Sequence, residues 1–318
     1  MGARDSSSPA NIKYPVEQRG GEKKLSTELV NYPKAGHKRA DSGTEQNRLR
    51  TKTDMQNHIT VVKIGGNVID NEEALQRFIA DFARLPYPKI LVHGGGKMAT
   101  RLSEKLEIPT QMINGRRVTD RQTLDVVTMV YAGLANKNIV AGLQARGCNA
   151  IGMSGADANM IPATRRPAQP IDFGFVGDID AARINTDFMK TLLDARIVPV
   201  FCAITHDGHG SLLNSNADSV ASAVAIAASR IAPTDLMLCF EKRGVLRDVD
   251  DPDSVIAEIN PENYQQLRSE GAISKGMIPK IDEAFRALGA GVASVTIKHS
   301  AELTENSGTL VTGCKTNN

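Results

Sequence analysis

The order of its apolar segments predicts an α/β fold, with a largely parallel sheet covered by helices on both faces. Two observations support this. Short apolar runs alternate with helical patterns from Ile59 onward. Glycine clusters fall where two of those runs give way to helices. Composition agrees, since 318 residues, 41% hydrophobic and 23% charged, suffice for one large or two ordinary globular domains.

The strands read as residues 59–64, 90–93, 150–153, 197–204, 236–240 and 292–297. Between the first two, residues 71–85 carry Leu75, Phe78, Ile79 and Phe82 on one helical face, with Asp70 and Glu73 spaced as a capping box. Met98, Leu102 and Leu106 repeat at helical spacing. Residues 121–146 read as one long helix stopped by Gly147. Residues 217–231 are alanine-rich and suit close packing, and residues 277–288 end at Gly289. In such sheets ligands bind beyond the carboxyl ends of the strands.

Residues 1–54 differ. They are rich in Ser, Gly, Lys, Arg, Asn and Pro without a sustained period, the composition of a disordered tail. An apolar signal core is missing, and Asp5, Glu17, Glu22 and Glu28 count against an organelle transit peptide. A true start at Met55 and a solvated tail remain alternatives. The expected division is a tail over 1–57, a folded region over 58–313 and a short tail over 314–318. A net charge of +2 and an aromatic content of 4% give no basis for nucleic-acid binding. No unbroken apolar run has the length of a membrane helix. Cys148, Cys202, Cys239 and Cys314 form no close pairs and read as reduced packing residues of a cytosolic protein. No metal site is expected.

Two glycine turns carry the chemistry. In "KILVHGGGKMATRL" a strand ends at His93 and Gly94, Gly95 and Gly96 lead into a helix. In "VVKIGGN" Lys63 lies near a strand end, followed by Gly65 and Gly66. Backbone N–H groups at two such turns can converge on one anion, helped by helix N-termini. The dinucleotide pattern from Gly94 to Ala99 is weak, because no acidic strand end follows; Asn114-Gly115-Arg116-Arg117 stands there instead. Gly96-Lys97-Met98 fails the Walker pattern. "SKGMIPKIDEAF" sets Lys275 and Lys280 about a helix start, with Pro279 in the first turn. A lysine there opposes the helix dipole unless an anion is present. "LLNSNADSVA" offers Asn214, Asn216 and Asp218, which are also ordinary capping residues. Ser154 resembles a nucleophile elbow but lacks its closing glycine and a histidine partner. His206 and His209 read as a polar loop, and Arg165-Arg166 as a solvated charge pair.

Taken in order, "KIGGN", "VHGGGKMATRL", "NGRRVTDRQTLDVV", "ANKNIV", "FGFVGDI", "LLNSNADSVASAVA" and "KGMIPKIDEA" resemble the amino acid kinase family, in particular its members that phosphorylate N-acetyl-L-glutamate. The resemblance covers about residues 59–311. It implies an open αβα sandwich with a mainly parallel sheet, of the amino acid kinase or carbamate kinase-like fold, over residues 58–313. An N-lobe of about 58–205 would hold the acyl-glutamate and a C-lobe of about 206–313 the nucleotide. ATP with Mg²⁺ would phosphorylate the γ-carboxylate for arginine biosynthesis, in a cytoplasmic homodimer. By resemblance Lys63 and Lys280 match catalytic lysines and Asp218 the carboxylate that orients them. Lys63, Gly65, Gly66, Gly95, Glu241, Gly276 and Lys280 fall on the ATP side. Gly95, Gly96, Arg117 and Asn214 fall on the substrate side.

The roles are physically coherent. The acceptor carboxylate is ionised at neutral pH and needs no general base. The task is to overcome repulsion between anions, which cations and N–H dipoles do. Two departures stand out. Arg116 replaces an apolar residue of most relatives beside the expected acyl pocket, where it would suit a second carboxylate, as in N-succinyl-L-glutamate. Glu241 stands where many relatives have Asp. Arginine-inhibited hexameric relatives carry an N-terminal amphipathic helix; the tail lacks that pattern, so an uninhibited dimer is expected. A non-catalytic amino-acid sensor would be expected to lack one of Lys63, Lys280 and Asp218, and all three are present.

Overall fold

A computed structural model describes residues 58–113, 115–273 and 277–313. The expected tails, Cys314, Asn114, Lys275 and Gly276 lie outside the described residues. In chain order the first seven strands are β1 (Ile59–Ile64), β2 (Lys89–His93), β3 (Met112–Ile113), β4 (Arg116–Arg117), β5 (Ala150–Met153), β6 (Ala163–Arg165) and β7 (Gly177–Ile179). The other seven are β8 (Val198–Cys202), β9 (Ile204–His206), β10 (Leu212–Asn214), β11 (Thr234–Phe240), β12 (Glu258–Ile259), β13 (Ser294–His299) and β14 (Thr309–Val311). Eight of them form one sheet in the order β12-β14-β13-β11-β1-β2-β8-β5. Every pairing in it is parallel except β13 with β14. The chain steps from β1 to β2 on one side and later reaches β11 on the other. The strand order therefore reverses at β1, the position where such sheets open a crevice.

The helices are α1 (Gly66–Asp70), α2 (Glu72–Arg84), α3 (Gly96–Lys105), α4 (Arg121–Thr128), α5 (Asn136–Gln144), α6 (Thr186–Asp194), α7 (Ala217–Ala228), α8 (Pro261–Ser269) and α9 (Ile278–Gly289). Side-chain alternation along the strands sends Val61 and Val92 into one core and Val62 and Leu91 into the other. The first core is closed by α4, α6, α7 and α9 and the second by α2 and α5. Lys63 shares the face of Val61, so β1 aims it toward α7 and α9. On the opposite face, buried Lys89 donates to the carbonyls of Phe82, Ala83 and Leu85 at 2.7, 2.8 and 2.9 Å and satisfies the C-terminal end of α2.

Several expectations are corrected. Asn71, not Asp70, caps α2, accepting from the Ala74 N–H at 3.0 Å. Asp70 ends α1 and pairs with Arg101 at 2.8 Å, while Glu73 pairs with Arg77 one turn on. The strand expected over 197–204 breaks after Cys202, and Ile204 opens a hairpin, β9–β10. The long helix is α4 and α5 joined by a π-helical segment, Met129–Ala135. By length and composition Arg121–Gln144 would cross a membrane; here Leu124, Val127, Val130, Ile139 and Leu143 are buried in the two cores. Two further hairpins, β3–β4 and β6–β7, join β9–β10 outside the main sheet.

Candidate active site

Strand ends build one side of the site. β1 delivers Lys63 and the Gly65-Gly66 turn, β2 the Gly94-Gly95-Gly96 turn, and β11 delivers Phe240 and Glu241. Beyond β8, the β9–β10 hairpin returns the chain to α7, whose first turn holds Asp218. Asn216 caps α7 by accepting from the N–H groups of Asp218 and Ser219. The alanines of α7 let it sit close on the sheet; a Cβ on Gly94 would stand 3.4 Å from that of Ala217. All these groups line one cavity of about 730 Å³, a size suited to small ligands.

At its centre Asp218 bridges two lysines. Lys63 Nζ lies 2.7 Å from Asp218 Oδ1 and Lys280 Nζ lies 2.6 Å from Oδ2. Burial alone would raise the Asp218 carboxyl; Lys63 and Lys280 more than offset it and hold the group well below the usual carboxylate range. Lys280 sits in the first turn of α9, after Met277 and beside Pro279. Burial, then repulsion from Lys63, pulls its ammonium below the ordinary lysine value, with Asp218 opposing. The cluster carries one net positive charge and is part-buried.

The glycines divide by what they leave open. Gly95 has φ +155°, and a Cβ on it would come within 2.9 Å of the Tyr131 ring. Protein packing therefore requires that glycine. A Cβ on Gly66 would meet nothing within 4 Å, and one on Gly96 only the Tyr131 hydroxyl at 3.9 Å. Their missing side chains leave room along the cavity floor, which fits a polyphosphate lying against backbone N–H groups. No group of three His, Cys, Asp or Glu able to hold a metal occurs among the described residues.

The hairpins build the other side. β4 carries Arg116 at the exposed rim and Arg117 inside. Arg117 donates to the Gly96 carbonyl at 2.9 Å and to the hydroxyls of Thr100 and Thr110 at 2.8 and 3.2 Å. All three acceptors are neutral, so a buried guanidinium faces the cavity with no counter-ion among the described residues. Asn214 is also buried and donates to Thr119 at 3.0 Å. Thus Lys63, Gly65, Gly66, Gly95, Gly96, Arg116, Arg117, Asn214, Asp218, Glu241 and Lys280 line one cavity. Gly276 lies outside the described residues.

Sequence reasoning missed others. Arg166 is not a solvated loop charge: it lines the cavity, forks onto Asp178 across β6–β7, and lies over the Phe173 ring at 5.4 Å. Arg165 leaves for the Phe175 ring instead, at 4.5 Å. Tyr131 also lines the cavity, from the π-helical segment. His93 is excluded from proton transfer. Burial lowers its pKa to about 4, and its ring nitrogens meet the Gly94 carbonyl at 2.8 Å and the Asn136 amide at 3.0 Å. Ser154 is held by Asp157 at 2.9 Å in a local turn.

A parallel sheet that brings two lysines, a bridging aspartate and open glycine turns to its switch point is a phosphoryl-transfer site in form. The family model of the amino acid kinase family matches residues 58–299, and the chain belongs to that family. Curated relatives that it matches include acetylglutamate kinases. That of Cytophaga hutchinsonii is 53% identical over 77% of this chain and 92% of its own length. That of Phocaeicola vulgatus is 49% identical over 81% of this chain and 99% of its own. A crystal structure of smu.665 from Streptococcus mutans superposes with a TM-score of 0.65 at 29% identity, covering 80% of this chain and 98% of that one.

Two predictions follow from this geometry. Gly66→Ala should keep or slightly raise stability, by up to about 1 kcal/mol in a helix position, yet weaken ATP binding. Gly95→Ala should lower the melting temperature, because it meets both an unfavourable φ and the Tyr131 ring. Calorimetric unfolding and ATP titration of both variants separate these effects. The second concerns pH. Asp218 is depressed in the fold, so its contribution is full above its unfolded pKa of about 3.9 and is lost as pH falls toward its lower folded value. The stability gap between wild type and Asp218→Asn, read by urea unfolding, should therefore be widest near neutrality and narrow below about pH 4.

Proposed function

We propose that this chain transfers the γ-phosphoryl group of ATP to the γ-carboxylate of N-acetyl-L-glutamate, the second step of arginine biosynthesis. The observation that carries the reading is the Lys63–Asp218–Lys280 bridge beside open glycine turns, in a chain about half identical to acetylglutamate kinases. A γ-carboxylate oxygen forms a bond to the γ-phosphorus, and the bond from that phosphorus to the bridging oxygen of ADP breaks. The products are N-acetyl-L-glutamyl 5-phosphate and ADP, and no proton moves.

Each residue then has a task. Lys63 and Lys280 donate to oxygens of the transferred group and offset the charge that builds there. Asp218 holds both ammonium groups in position. Gly65, Gly66 and Gly95 present backbone to the phosphates, and Glu241 and Gly276 border the nucleotide. Gly96, Arg117 and Asn214 hold the acceptor, the guanidinium taking the α-carboxylate through its planar fork. Mg²⁺, when bound with ATP, supplies further charge neutralisation on the phosphates. The lobes divide near residue 206, acyl-glutamate in about 58–205 and nucleotide in about 206–313.

Arg116 favours a second reading. It stands at the cavity rim beside Arg117 and pairs with no carboxylate among the described residues. An acyl group ending in its own carboxylate, as in N-succinyl-L-glutamate, would give it a partner. The protein works as a cytoplasmic homodimer. Edge strand β5 with exposed Ile151, and Met129 and Leu134 exposed at 53% and 52%, offer an apolar surface for a second copy.

Trapping the acyl phosphate with hydroxylamine tests the reaction, with N-acetyl- and N-succinyl-L-glutamate supplied side by side. Preference for the acetyl compound is expected. Preference for the succinyl compound that Arg116→Leu abolishes would establish the second reading, and activity on neither would leave a sensor on this fold. Lys63→Ala and Lys280→Ala should each cut kcat by about 10²–10³; a variant near wild-type turnover would remove that lysine from the mechanism.

A further inference from the structure

Tyr131 has no task in the reaction as described, yet its placement is specific. It sits in the π-helical segment Met129–Ala135. Such segments are rare and concentrate at functional sites. Its ring rests on Gly95, where atoms Cδ1 and Cε1 lie 2.9 and 3.2 Å from the place a Cβ would take. The glycine and the tyrosine are thus matched to each other. That contact carries the hydroxyl to within 3.9 Å of the space beside Gly96. The Gly96 carbonyl is itself an acceptor for Arg117 Nη2, at 2.9 Å. The phenol and the guanidinium therefore reach the cavity beside the same residue.

Neither group meets an anion among the described residues. Tyr131 is only 6% exposed; its hydroxyl oxygen lies against the Arg117 guanidinium and can accept from it, which leaves the O–H to donate elsewhere. Buried phenols ordinarily find a partner. Arg117 has only neutral acceptors, the Gly96 carbonyl and the hydroxyls of Thr100 and Thr110. One missing ligand group would complete both: a carboxylate. It offers about four lone-pair sites, two for the guanidinium fork and one for a phenol. Burial pushes the Tyr131 phenol up, against the pull of Arg117, so the hydroxyl stays protonated and acts as a donor.

We infer that Tyr131 is a substrate-binding residue, its hydroxyl donating to the same α-carboxylate of the N-acyl-glutamate that Arg117 takes. This rests on the acyl-glutamate reading above and adds a contact to it. It also gives the second glycine turn a further purpose. Gly95 admits the ring that carries the donor, while Gly66 and Gly96 leave space for ligand.

Tyr131→Phe tests it, because phenylalanine keeps the ring against Gly95 and removes only the hydroxyl. Wild type and variant, full-length, are titrated calorimetrically with N-acetyl-L-glutamate and separately with ADP. Loss of a hydrogen bond to a charged group should weaken N-acetyl-L-glutamate binding about tenfold or more. ADP affinity, KM for ATP and melting temperature should not change. In an Arg117→Lys background the same substitution should cost less, since both groups act on one carboxylate. Binding of N-acetyl-L-glutamate as in wild type would overturn the assignment. So would equal weakening of both ligands with a lower melting temperature, which marks a structural role. Wild type that binds ADP but no acyl-glutamate would overturn the functional reading itself, and this assignment with it.

Discussion

One part-buried carboxylate, Asp218, holds the site together. Each of its oxygens meets a different ammonium group. The two lysines come from chain segments more than two hundred residues apart, the end of β1 and the start of α9, and the aspartate from the start of α7. Three elements are thereby fixed at one point. Removing one partner from a fully buried cluster costs about 3–5 kcal/mol, and from this part-buried one less, because the remaining charge is left unbalanced. The N-terminus of α7 favours Asp218, whereas that of α9 opposes Lys280. The cluster is left one charge positive, in surroundings that press Lys280 to give up its proton. A phosphate placed between the lysines would relieve that pressure. The excess positive charge of the cluster suits it to an anion.

The rest of the cavity divides by rigidity. Its phosphate side is made from the ends of β1, β2 and β11 and the start of α7, all anchored in the two cores. Its acceptor side is made from two- and three-residue hairpin strands hung outside the sheet. The invariant chemistry, charge stabilisation of a phosphoryl group, sits on the scaffold. The groups that would choose an acyl-glutamate sit on short hairpins, where a single side chain such as Arg116 can alter the rim without touching the sheet. A carboxylate acceptor needs no base, and buried, neutral His93 ties β2 to Asn136 instead of serving as one.

The central strands were legible because a parallel strand buried on both faces reads as a continuous apolar run. Lys63 was legible for the same reason: a lysine inside such a run asks for an explanation. The hairpins were not, since strands of two or three residues have no room for a period. Arg166 reads as solvated because its partner, Asp178, lies twelve residues away across a turn that no local pattern announces. Tyr131 was hidden differently. At its spacing from Leu124 and Val127 it reads as one more core residue, and nothing in the sequence marks the π-helical segment that presents it to the cavity. The cap of α2 moved by one residue because α1, too short to show a period, had already used Asp70.

The central claim is that the lysine pair and Arg117 mark the two ends of one reaction path. The most direct measurement is a crystal structure with Mg²⁺, ADP, aluminium fluoride and N-acetyl-L-glutamate. The account predicts the fluoride within about 3 Å of both Lys63 Nζ and Lys280 Nζ, with the α-carboxylate of the acceptor on the guanidinium of Arg117. Fluoride bound away from the lysines, or an acceptor whose α-carboxylate leaves Arg117 unpaired, would contradict it.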